Sequence, residues 1–261
     1  MRIRSALSAL AIVLSASTAG AQSVFLGVDT NGPVKQYTTT GSFIGNFGQG
    51  GATGSALDGV GHVWTVAPNF GNNQIQKYDA SQTVLGTFTA TVNGNWIEDM
   101  AWGGNNSIWA GTYEGNVFNI DATTGAVNSF FSVANSTFTG VGFDGTNLWL
   151  TGGLSGNDNI YQYSTGGALL QTIHTGFNDG MGLGYYAGNL WVGYLSGDVR
   201  QYDLNGALLS SFSAVGNAHD GLEVGVIGTT STPEPASISL LATGLLGIAG
   251  FVRRRRKTQT A

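Results

Sequence analysis

Gly140-Val-Gly-Phe143, Asn147-Leu-Trp-Leu150, Asn159-Ile-Tyr-Gln-Tyr163 and Ala168–Ile173 follow one another within a single stretch of the chain. Each run is short and apolar or alternating. The turn Asp144-Gly145-Thr146-Asn147 joins the first two with residues that tolerate positive φ, which is hairpin chemistry. Four such runs read as four antiparallel strands. The unit recurs on both sides, because Trp64, Trp109, Trp149 and Trp191 stand at intervals of 45, 40 and 42. Each tryptophan sits in a strand-like run and is followed by a second run: Gln74–Asp79, Asn116–Asp121, Asn159–Tyr163 or Asp198–Asp203. A third run comes after it, at Val84–Phe88, Ala126–Phe131, Ala168–Ile173 and Ala207–Phe212. Four strands per period of roughly forty residues is the signature of a β-propeller blade.

The ends of the repeat set the blade count. Val24-Phe-Leu-Gly27 aligns with the tryptophan runs, with Phe25 in the tryptophan position, and Pro33–Tyr37 and Ser42–Phe47 follow as the second and third runs. This first unit lacks its inner strand, which reappears at the far end as His219-Asp-Gly-Leu-Glu-Val224. Sharing one blade between the termini closes the ring and removes exposed edges. The sequence therefore predicts an all-β, five-bladed propeller over residues 22–228. Tyr37, Tyr78, Ile120, Tyr163 and Tyr202 mark one position in all five units. Glycine in the innermost runs suits strands crowded about an axis, and the tryptophans are expected between neighbouring blades. A sugar-stacking role for them is the alternative. The repeats resemble exported bacterial propellers of the NHL or streptogramin-lyase-like kind. The metal ligands and catalytic histidine of the lyase-like rings have no matching positions here.

Outside the body, the two ends read as sorting signals. Arg2 and Arg4, the apolar Ala6–Ala16 and the small residues Ala19-Gly20-Ala21 predict a signal peptide over 1–21, cleaved between Ala21 and Gln22. At the other end, residues 229–235 form a linker ending in Pro233-Glu234-Pro235. The apolar run 236–252 follows as a membrane-spanning helix, then a basic cytoplasmic tail over 253–261 that opens with Arg253, Arg254, Arg255 and Arg256. This three-part tail resembles the PEP-CTERM signal of Gram-negative bacteria. The resemblance implies export across the inner membrane, at least transient anchoring there, processing by an exosortase, and a final place at the cell surface or outside the cell.

Composition narrows the chemistry further. The chain has no cysteine, so thiol catalysis and cysteine-ligated metal are excluded. Most of the basic residues lie in the two terminal signals. The body keeps Lys35, Lys77 and Arg200 against fourteen acidic residues, a formal net charge of −11. Such a surface repels nucleic acid.

No catalytic triad, phosphate loop or cofactor motif stands out, so no catalytic or cofactor-binding residue is assigned. The candidate constellation is Asp99, Asp179 and Asp220, near the starts of inner strands, with His219 beside the last. Converging on one rim, these carboxylates would suit calcium or acid–base work. Alternatively, each caps its own strand. The leading functional reading is a non-enzymatic exported surface or matrix protein. The tail's association with exopolysaccharide and biofilm implies a polysaccharide partner. The alternative is a secreted carbohydrate-active enzyme, hydrolase or lyase, using axial carboxylates. A protein-binding scaffold using loop aromatics such as Phe70 or Tyr113 is a third possibility.

Overall fold

The computed structural model describes residues 22–26, 33–48, 52–69, 72–134, 136–152, 159–214 and 220–227, and no helix occurs among them. The expected signal peptide, linker, spanning helix and basic tail lie outside these residues, as do His219 and Phe70. The strands run in chain order. First come β1 (Gln22–Leu26), β2 (Val34–Thr38) and β3 (Phe43–Phe47). Next are β4 (Gly54–Leu57), β5 (Val63–Asn69), β6 (Asn72–Tyr78) and β7 (Val84–Thr89). The third group is β8 (Ile97–Gly104), β9 (Ser107–Thr112), β10 (Asn116–Asp121) and β11 (Val127–Ser132). The fourth is β12 (Gly140–Phe143), β13 (Asn147–Thr151), β14 (Asn159–Ser164) and β15 (Leu169–His174). The last are β16 (Gly180–Tyr186), β17 (Asn189–Tyr194), β18 (Asp198–Tyr202), β19 (Leu208–Ser213) and β20 (Leu222–Val226).

They form five four-stranded antiparallel sheets, four of them in chain order and one in the order β20-β1-β2-β3. The split blade is therefore present, with Phe25 opposite Glu223 and Val24 opposite Val224. The inner strands β4, β8, β12, β16 and β20 pack side by side around the axis.

The large aromatics of the second strands fill the wedges between blades. Trp64, Trp109, Trp149 and Trp191 are all buried. Each shares a core cluster with the inner strand of the next blade: Trp64 with Met100 and Trp102, Trp109 with Val141 and Phe143, Trp149 with Leu183 and Tyr185, Trp191 with Leu222 and Val224. Phe25 does the same with Leu57. Ring closure thus buries one large flat side chain per interface, roughly 1.5–3 kcal/mol of apolar transfer each.

The recurring tyrosine position marks a shared irregularity. Tyr37, Tyr78, Ile120, Tyr163 and Tyr202 are buried, and each lies at a register shift between the third and outer strands. In three blades the residue after the tyrosine position is an aspartate that caps the hairpin. Asp79 Oδ1 accepts from the Ser81 and Thr83 amides, Asp121 Oδ1 from Thr123 and Thr124, and Asp203 Oδ1 from Asn205 and Ala207. The Ser81 hydroxyl, which also donates to Asp79 Oδ1, and these amides hold all three carboxyls below their ordinary range. In the other two blades Thr38 and Ser164 do the same work through a hydroxyl.

Candidate functional site

The site follows from how the inner strands meet. Counting from the residue paired with each second-strand aromatic, one level of the ring is Gly54, Asp99, Gly140, Gly182 and Gly221. At this level the strands touch. A Cβ on Gly182 would lie 2.4 Å from the Gly221 carbonyl carbon, and one on Gly140 would lie 2.5 Å from the Met181 oxygen. Four blades therefore carry no side chain there, and the fifth carries a carboxylate. A register shift between Ile97 and Asp99 re-aims the chain at that point.

Asp99 is 0 % exposed. Its Oδ1 accepts from the Met100 N–H at 2.9 Å, and its Oδ2 accepts from Val141 at 3.1 Å, Leu183 at 3.2 Å and Leu222 at 3.2 Å. One carboxylate thus binds backbone amides from four inner strands across the axis. Without it, those buried N–H groups would each lack a partner, at about 1–3 kcal/mol apiece. Burial pushes the Asp99 carboxyl well above its ordinary range, while the four amides pull it back in part.

The next level repeats the arrangement from the opposite blade. Opposite the second-strand aromatics stand Ala56, Ala101, Gly142 and Gly184, and in the split blade Glu223. Glu223 is buried, and its Oε1 accepts from the Val224 N–H at 2.8 Å. Burial raises its carboxyl well above the ordinary range. The Leu57 and Val224 amides oppose that shift, and the Asp99 charge adds to it. Two carboxylates, each filling a space that four small residues leave, close the axis.

A cavity opens at each end of this plug. At the ends where the inner strands finish, the lining includes Trp102, Phe143, Tyr185, Tyr186, Asp58 and Glu223. Trp102, Phe143, Tyr185 and Tyr186 are only partly buried, so aromatic surface is presented around the opening. Trp102 stacks on Trp64 with ring centroids 5.7 Å apart, which fixes its plane. Asp58 is committed to its own turn, accepting from the Val60 and His62 amides and meeting the His62 ring. At the opposite end, where the inner strands begin, the cavity is lined by Thr53, Trp96, Glu98, Tyr113, Glu114, Thr139, Met181 and Asp220.

The three aspartates singled out from sequence occupy different levels. Asp99 lies inside the plug. Asp220, one residue before the glycine level, lines the second mouth beside Glu98. Asp179, three residues before Gly182, sits in a left-handed turn with φ 62°, its carbonyl accepting from the Leu195 N–H at 3.0 Å. Among the described residues no group of three or more His, Asp or Glu side chains is placed to hold a metal ion. Sequence reading had set Asp99 level with Asp220. The pairing sets Asp99 level with Gly221 and Glu98 level with Asp220, and a one-residue slip sends a side chain to another face. The partly exposed aromatics, Glu223 and Thr139 drew no attention in the sequence. Aligning the inner strands on the residue opposite each tryptophan would have exposed all of them.

The PEP-CTERM protein-sorting motif matches residues 231–256. The chain is thus an exosortase-processed exported protein, with a membrane-associated sorting signal at its C-terminus and a propeller body. Among solved structures it is similar to a chain in the crystal structure of a nidogen/laminin complex. The identity is 12%, the TM-score is 0.55, and the likeness covers 79% of this chain and 99% of the other. At that identity the likeness concerns the fold alone. No curated protein sequence matches the chain.

Proposed function

We propose that this exported, exosortase-processed propeller is a non-catalytic binding module of an extracellular polysaccharide matrix, with the aromatic mouth as its sugar-binding face. The observation that carries the reading is the gathering of Trp102, Phe143, Tyr185 and Tyr186, all partly exposed, around one opening of the axis. Flat aromatic surface stacks on the apolar face of a pyranose, and neighbouring polar groups then fix its hydroxyls. The carboxylates at the axis support binding over cleavage. A glycosidase needs two carboxyl groups facing the scissile bond, whereas the Asp99 oxygens are engaged by backbone amides.

The test is titration of the full-length chain in neutral detergent with neutral matrix polysaccharides, wild type beside Trp102→Ala and Tyr185→Ala. Loss of one stacking aromatic is expected to weaken binding roughly tenfold. Equal binding by all three proteins would sink the proposal. Release of new reducing ends during the titration would instead favour the carbohydrate-active enzyme, with Glu98 and Asp220 as the carboxylates to replace first.

A further inference from the structure

We infer that the aromatic mouth is also the face that the membrane-held chain turns toward the bilayer, where a layer of zwitterionic lipid headgroups covers it. The competition between lipid and glycan that follows rests on the sugar-binding reading of this mouth.

The exit of the chain sets the orientation. The inner strand β20 ends at Val226, which lines the aromatic mouth together with Gly225. Ile227 packs against the core cluster of Phe25 and Val63, so the last described residue is held at that rim. Eight residues, 228–235, separate it from the apolar run that opens at Ala236, inside the sorting motif matched over 231–256. A leash of that length reaches about 30 Å at full stretch, and the headgroup layer takes up roughly 5–8 Å of it. A compact body of about two hundred residues is about 40 Å across. Because the leash starts beside the axis, reaching the perimeter alone would use about 20 Å. Too little is left to pass around the propeller and bring the opposite mouth to the membrane.

The face has the composition of a membrane interface. Trp102, Tyr185 and Tyr186 are partly exposed around the opening, and Val60, in the turn between β4 and β5, is 76 % exposed. Trp and Tyr rings settle at headgroup depth, with an apolar body and a polar tip. The described lining includes Asp58 and no lysine or arginine, so a zwitterionic layer suits it better than an anionic one. The opposite mouth, with Glu98, Glu114 and Asp220 in its lining, is left facing water. Removal of the tail by the exosortase then frees the aromatic face for a glycan.

The experiment uses the full-length chain, whose lack of cysteine permits labelling at one site. Val60→Cys places a fluorophore at the aromatic rim, and Tyr113→Cys places one at the opposite mouth, where Tyr113 is 49 % exposed. Each labelled chain is inserted by its tail into phosphatidylcholine vesicles whose headgroups carry a short-range quencher. The Val60→Cys label is expected to be quenched strongly and the Tyr113→Cys label weakly. Inserting about twenty Gly/Ser residues after Thr229 lets the body turn and should narrow the difference. Any difference that remains measures the hold of the aromatic contact itself. Equal quenching of the two labels at the native linker length, or stronger quenching of the Tyr113→Cys label, would overturn the proposal.

Glycan titration separates this orientation from the sugar-binding reading. In neutral detergent, which presents no continuous sheet of headgroups, the native and lengthened chains should bind a neutral glycan alike. In vesicles the native chain should bind about tenfold more weakly than the lengthened one. Absence of binding by either chain in detergent would sink the sugar reading and leave the label result to decide the orientation. Equal binding by both chains in vesicles would overturn the competition.

Discussion

The two mouths of the axis are made by the same five strands, yet they differ in chemistry. Where the inner strands begin, the ring position before the glycine level carries Thr53, Glu98, Thr139, Met181 and Asp220, a polar and acidic lining. Where they finish, the equivalent position carries Leu57, Trp102, Phe143, Tyr185 and Val224, an apolar and largely aromatic one. The difference arises from what each level packs against. The second set leans on the aromatics of the preceding blade and must be large and apolar to fill the wedge. The first set opens onto the polar starts of the strands and carries no such duty. Between them, Asp99 and Glu223 separate the two chemistries with charge-bearing groups that the backbone satisfies.

The largest expected effect comes from breaking that divider. Gly182→Ala places a Cβ 2.4 Å from the backbone of the neighbouring strand, so the ring must open or shift. A loss of about 3 kcal/mol or more in chemical unfolding is expected. Asp99→Asn keeps the shape but puts an NH2 group among the four amide donors that bind the carboxylate. It should cost roughly 2–4 kcal/mol and lower the thermal midpoint, with both mouths affected together. Trp102→Ala strips one partly buried aromatic from a single mouth. It should cost about 2 kcal/mol and weaken the binding of neutral glycans.

The smallest effect, and the sharpest test of the divider, is the pH dependence. The folded-state carboxyls of Asp99 and Glu223 are raised. Folding then takes up protons, and their stabilising contribution is full below the unfolded value of about 4 and declines as pH rises toward the folded values. Asp79, Asp121 and Asp203 are lowered, so their contribution is present above about pH 4 and is lost as pH falls. Urea midpoints measured across this range should decline from mildly acidic toward neutral pH, and Glu223→Gln should flatten that decline. An unchanged slope in Glu223→Gln would remove Glu223 from the account.

The body was legible wherever one residue type repeats for one reason. The tryptophan period, the tyrosine position and the glycine-rich inner runs each answer a packing demand that recurs in every blade, and the split closure followed from counting them. The site was hidden for the converse reason. Asp99 and Glu223 are exceptions to the repeat, single residues standing where four blades carry glycine or alanine. Their meaning depends on which residue lies across the ring. The shift between Ile97 and Asp99 moved the alignment by one position, enough to set Asp99 beside Asp220 instead of Gly221.

The amino-acid sequence by itself determined the five-bladed ring, the shared terminal blade and the sorting tail, because strand period, turn chemistry and motif order are local properties written along the chain. Only the tertiary structure decided that the axis is closed by two carboxylates and opens into two unlike mouths. Those features arise from amides and side chains of separate blades meeting at one axis, with Leu222 donating to an aspartate 123 residues away in sequence.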